Sequence, residues 1–185
     1  EEVLQFSARV SSYRAATAGN WLYGGRFAAR AGDERRLFPG LLPLLLATIG
    51  LLLRVPGRRP IVYLLLMAAA FEMSLGLRGY SYTFLSGHVP LYRSLRALGR
   101  LGIFVAMFLA VLAGYGYALL ASGRSRALRA ALAGAVVLVL LAEYRTRLAL
   151  EPYPNAAPPV YRFLATQPRG IVAEFPVPQP DSLPG

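Results

Sequence analysis

From Leu101 to Gly123 the chain runs for 23 residues without a charged side chain. At about 1.5 Å of rise per residue, a helix through this run covers about 34 Å, enough to cross the hydrocarbon core of a bilayer. Such a segment can satisfy its backbone polar groups in lipid only by closing its own helical hydrogen bonds. It therefore fixes the solvent first, and the rest of the sequence follows the same logic. Leu37 to Leu53 is uncharged and closed by Arg54, Ile61 to Leu77 is interrupted only by Glu72, and Ala130 to Ala142 is apolar for 13 residues. The last must borrow Ala127 to Arg129 and Glu143 to Tyr144, with their charged groups snorkelling to the interfaces.

Hydrophobic residues make up 56% of the chain and charged residues only 16%, too few for an ordinary soluble domain. The net charge of +11 would by itself suggest a nucleic-acid partner. All 20 basic residues are Arg, however, and they flank the apolar runs instead of lining one polar face, so nucleic acid is excluded as the expected partner. The absence of Cys and the single His rule out thiolate or multi-histidine metal sites built within the chain. No cofactor is expected, and no Walker loop, dinucleotide fingerprint, nucleophile elbow or zinc-protease motif occurs.

The expected fold is an all-α membrane protein with about four transmembrane helices, an interfacial amphipathic helix and the start of a small external α/β tail. It divides into an external loop segment (1–36), a four-span region (37–144) and an external Pro-rich tail (145–185). Arg54, Arg58 and Arg59 mark one short turn, and Arg124, Arg126 and Arg129 another. Short Arg-rich loops stay in the cytoplasm, which puts both ends outside. Residues 1–36 lack helical or strand periodicity and read as a loop packed on something outside this stretch. The tail offers a helix at Pro159 to Thr166 and a strand at Ile171 to Phe175. Neither end has a recognisable start or stop signal, so the expectation is an internal fragment of a larger membrane protein.

Small residues at Gly102, Ala106, Ala110, Gly114 and Ala118 fall on one helical stripe, which suggests close approach of a second helix. Glu72 is an intramembrane carboxylate and hence a candidate site residue, with Arg96 or Arg100 as the expected partner. Pro90 suits the first turn of a helix in which Arg93, Arg96 and Arg100 share one face and Leu91, Leu95 and Leu98 the other. Those guanidiniums could bind the phosphates of a lipid-linked donor, although contact with ordinary anionic headgroups is the simpler expectation. His88 has the chemistry of a general base, although a lone loop histidine is more often a solvated polar residue. Glu143, Arg145 and Arg147 read as interfacial anchors. Trp21, Tyr80, Tyr82, Tyr92 and Tyr144 read as an aromatic belt.

Several strings, taken in order, resemble a known group: Glu34-Arg35-Arg36-Leu37-Phe38-Pro39-Gly40, Ser74-Leu75-Gly76, Leu91-Tyr92-Arg93-Ser94-Leu95-Arg96, Arg100-Leu101-Gly102 and Leu112-Ala113-Gly114-Tyr115-Gly116. Pro159-Val160-Tyr161-Arg162-Phe163-Leu164 and Val172-Ala173-Glu174-Phe175-Pro176 complete the series. The chain is similar in these to the C-terminal part of bacterial polytopic GT-C type (YfhO-like) glycosyltransferases. The resemblance implies a multi-pass plasma-membrane enzyme moving a sugar from a polyprenyl-phosphate donor at the outer face. Its partners would be membrane lipids, that donor and the remaining helices of the full-length protein. It also implies that the catalytic carboxylate lies in a first external loop upstream of this stretch, so no catalytic residue is carried over. Arg96 and Arg100 carry over as donor-phosphate ligands, with Arg93 and Glu72 beside them. The sequence departs from many relatives in reading Ala97-Leu98-Gly99 where they place a proline before the second Arg. The competing expectation is a non-catalytic transport or assembly subunit in which Glu72 forms a structural or proton-linked pair.

Overall fold

The computed structural model describes residues 2–27, 35–53, 57–93, 95, 97–147, 159–168 and 170. These are mostly helical, and among them no β-strand forms beyond a single antiparallel bridge between Asn20 and Thr146. Two compact units separate at Leu148 and Ala149. In the first, short helices α1 (Glu2–Gln5) and α2 (Gly24–Phe27) precede α3 (Leu41–Leu52) and α4 (Arg59–Ser74). Then come α5 (Ser81–His88), α6 (Pro90–Arg93), α7 (Gly102–Ala121) and α8 (Arg126–Tyr144). The second unit contains α9 (Pro159–Ala165), close to the expected helix, while the expected strand at 171–175 lies outside the described residues.

All four apolar runs become helices, but they differ in reach. Leu98–Ala121 and Arg126–Tyr144 are long and apolar enough to cross a membrane. α3 has 12 residues and α4 has 16, so at 1.5 Å per residue they extend about 18 and 24 Å, short of the hydrocarbon thickness. Pro60 sits in the first turn of α4, where no amide hydrogen bond is lost. Ser125 caps α8 by accepting a hydrogen bond from the Leu128 amide at 3.3 Å.

Helix α7 is central. Its buried residues include Val105, Leu109, Leu112, Ala113 and Gly116; Leu109, Leu112 and Ala113 pack with Leu46 and Ala47 of α3, and Tyr63, Leu64 and Met67 of α4 close the same core. α3 and α7 meet backbone to backbone. A Cβ on Gly116 would stand 1.8 Å from the Leu46 carbonyl oxygen, and one on Gly50 2.9 Å from the Gly116 nitrogen. The expected packing stripe is therefore corrected beyond its first member: Gly102 is buried against Leu37, but Ala106, Ala110, Gly114 and Ala118 are exposed, and the contact with α3 runs along the neighbouring stripe through Gly116. Both stripes hold small residues, and Leu109 and Leu112 decide between them by burying far more apolar area.

The N-terminal segment also departs from expectation, because it packs on this chain itself. Its backbone bonds Ala8 N–H to the Ser74 carbonyl at 2.9 Å, Leu37 N–H to the Ser12 carbonyl at 3.0 Å and Gly99 N–H to the Phe6 carbonyl at 2.8 Å. Farther along, Trp21 N–H reaches the Arg145 carbonyl at 3.0 Å and Arg147 N–H the Gly19 carbonyl at 2.9 Å. Residues 2–27 thus form a cap over one end of the bundle, touching the start of α3, the end of α4, the approach to α7 and the end of α8. Residues 145–147 belong to this cap, so the second unit begins later than the expected tail boundary at 145.

Candidate functional site

The two glutamates at the ends of α4 and α8 turn out to do the same job. Glu143 is 4% exposed, and its Oε1 accepts the Tyr23 hydroxyl at 2.5 Å and the amides of Leu41 and Leu42 at 3.0 Å each. It serves as the N-terminal cap of α3, taking two amides that the first helical turn leaves open, while Pro43 brings none. Gly40 makes room for it: its φ is +89°, and a Cβ there would lie 2.6 Å from Oε2. Asn20 adds a hydrogen bond from its side-chain amide to the Glu143 carbonyl at 2.6 Å. The expected interfacial anchor is instead a buried keystone between cap and bundle. Burial, followed by the hydrogen bond and negative charge of Glu143, pushes the Tyr23 hydroxyl up to about 12.

Glu72 caps α5 in the same manner. Its Oε1 accepts the amides of Tyr80 and, at 2.8 Å, Ser81. At this oxygen the carboxylate meets the start of a helix, for which it is as good a match as for an arginine; of the two expected arginine partners, Arg96 lies outside the described residues. His88 closes that helix with Nδ1 2.8 Å from the Phe84 carbonyl and its ring stacked on Phe84 at 4.4 Å, an arrangement within a single helical turn.

The expected amphipathic helix from 90 to 100 does not form as one element. α6 ends at Arg93, Ala97 has φ −108° and ψ 69°, and a 3-10 turn at Leu98–Leu101 leads into α7. The break has a packing cause. Leu98, 1% exposed, is drawn into a cluster with Tyr82 and Tyr92, and a continuous helix could not bring Tyr92 and Leu98 to the same side. Those two tyrosines, 5.5 Å apart by ring centroid, are core residues and not part of a belt. Tyr80, Tyr144 and Trp21 are exposed, and Trp21 lies under the Arg145 guanidinium at 5.7 Å. Arg96 lies outside the described residues, as does the side chain of Arg93.

Arg100 is exposed at the cap end of α7 and does border a site. It lines a groove of about 530 Å³ together with Arg36, Phe38, Ile103, Ala106 and Tyr144. A second groove of about 500 Å³ on its other side is walled by Leu95, Leu98, Leu101 and Phe104. Arg36 is the member that reasoning from the sequence did not select. It sits next to the first apolar run, where an interfacial Arg is commonplace, and only the packing of Leu37 to Pro39 against α7 carries it to Arg100. Two arginines lining a mainly apolar groove suit a ligand with an anionic head and a hydrocarbon body. Among the described residues no group of His, Asp or Glu could hold a metal ion.

Comparison with protein-family models, with curated proteins and with solved structures finds no match for this chain.

Proposed function

We propose that the chain is a membrane-embedded part of a multi-pass glycosyltransferase of the GT-C kind, and that its cap-end groove receives the phosphate of a polyprenyl-phosphate-linked sugar donor. The observation that carries this reading is the Arg36 and Arg100 pair set at the end of helices long and apolar enough to cross a bilayer. A lipid-linked donor presents its phosphate at that depth, and guanidiniums bind phosphate oxygens in bidentate fashion. Four spans, with the cap on the outer side, complete the picture.

The test is binding of a polyprenyl phosphate to the detergent-purified chain. Removing one charge-assisted hydrogen-bonding group costs about 1.5–3 kcal/mol, so Arg36→Ala and Arg100→Ala should each weaken binding by roughly 10- to 150-fold. Unchanged binding in both variants overturns the proposal.

A further inference from the structure

The 14 residues from Gly79 to Tyr92 contain no Arg, Lys, Asp or Glu, whereas the turns after α3 and α7 carry three arginines each. A short helix at the end of a bundle shows charged or polar residues on its outward face when that face meets water. α5 shows rings. Its inner face, Tyr82 and Leu85, packs with Met73 at the end of α4 and Leu101 at the approach to α7. The outward positions divide in two. Tyr80, 95% exposed, Phe84, 65% exposed, and His88 follow one another at intervals of four and form an aromatic stripe. Tyr80 precedes the helix but has helical angles, φ −83° and ψ −33°, and so keeps its register. Thr83 and Gly87 form a small, uncharged strip beside the rings.

Two ties fix the level of α5 in the molecule. Glu72, in the last turn of α4, accepts the amides of Tyr80 and Ser81, so α5 starts level with the end of α4. Leu98 and Leu101, which lead into α7, pack on the cluster that Tyr82 and Tyr92 form. The helix therefore sits at the mouth of a segment long and apolar enough to cross a membrane. The apolar surface of this connection also reaches that segment, because Leu95 walls one groove with Ile103 and Phe104 of the first turn of α7.

We infer that α5 is an interfacial anchor whose Tyr80, Phe84 and His88 rings enter the glycerol and upper acyl region of the leaflet at the cap end, leaving Thr83 and Gly87 to water. Rings with an apolar body and a polar edge favour that layer. Without charge on the helix, the hold comes from buried apolar area and not from attraction to phosphate. The interfacial role expected of residues 90–100 thus passes to the helix before them. The inference rests on the membrane placement in the reading above and not on what the arginine groove binds.

The native chain has no Cys, so a nitroxide can be attached at one position at a time on the full chain in phosphatidylcholine vesicles. Phe84→Cys, Thr83→Cys and Met107→Cys, the last on the exposed side of α7, are compared by collision with oxygen, which concentrates in lipid, and with a water-soluble nickel complex. The oxygen-to-nickel ratio should be severalfold higher at 84 than at 83, and at 107 at least as high as at 84. Added phosphatidylglycerol or salt should leave the ratio at 84 unchanged. A second measurement keeps a ring in place: in a Trp21→Phe background, Phe84→Trp should be quenched by brominated phosphatidylcholine and poorly by acrylamide. Free access of nickel and acrylamide to position 84, with 107 in lipid, overturns the anchor and leaves the membrane placement standing. Access of nickel to 107 overturns the membrane placement itself. Shielding of 84 from both oxygen and nickel overturns lipid as the occupant and points to a protein surface. A ratio at 84 that rises only with phosphatidylglycerol overturns the uncharged mode of attachment.

Discussion

Tyr23 and Glu143 stand 120 positions apart in the sequence, yet their hydrogen bond fastens the cap to the bundle. Tyr23→Phe removes the hydroxyl and leaves Glu143 with its two backbone donors, so a loss of about 1 kcal/mol is expected on unfolding in detergent. The pH dependence has a definite sign. Folding raises the Tyr23 pKa from the ordinary value near 10 to about 12, so above pH 10 the unfolded chain releases a proton that the folded chain keeps. This contribution is present in full below pH 10 and is lost as the pH rises towards 12. Thermal unfolding followed across that window should show a steeper alkaline decline in the wild type than in Tyr23→Phe, and identical slopes would contradict it. None of this was legible in the sequence, because the other partners of the Glu143 carboxylate are backbone amides, which every residue but proline carries. Glu72 shows the same blindness: a carboxylate in an apolar run announces that it needs partners, not that they will be amides. Arg100 was legible as a basic residue at the head of a long span. Arg36 became its neighbour only through the fold.

At the scale of elements, the apolar runs located α3, α4, α7 and α8, because length and lack of charge leave few other conformations in a low-dielectric surrounding. Which side of α7 would be buried was less accessible. Residues spaced by four and residues spaced alternately by three and four both make continuous helical stripes, and this helix has small residues on each. The structure makes the choice testable. Gly116→Ala forces a methyl group into the Leu46 carbonyl and must push α3 and α7 apart, at a cost of about 1–3 kcal/mol. Gly114→Ala enters open space and should lie within about 0.5 kcal/mol of the wild type. Denaturation of both variants in one detergent provides the comparison; equal losses would mean that the helices do not touch where the structure has them touching. The break between α6 and α7 was hidden for a different reason. Helical spacing put the arginines on one face, but one buried leucine gained more by leaving that register than the spacing gained by keeping it.

For the whole molecule, the cap gathers the start of α3 and the ends of α4 and α8 at one end of the bundle, and the short turns after α3 and α7 lie at the other. With the turns on the cytoplasmic side, as their arginines suggest, the cap faces outward. The lack of native Cys allows a direct check: in intact cells a cysteine replacing Ser86 should react with an impermeant thiol reagent and one replacing Ser125 should not. The reverse pattern would invert the topology. The cap also sets an order of events during synthesis. Residues 2–27 are made before their hydrogen-bonding partners, which follow in sequence at Ser74, Gly99 and Glu143, the last more than a hundred residues later. Contacts separated so widely form late. The cap can therefore close only after the end of α8 has been made, and a chain interrupted before that point holds residues 2–27 without their partners at Glu143 and Arg145.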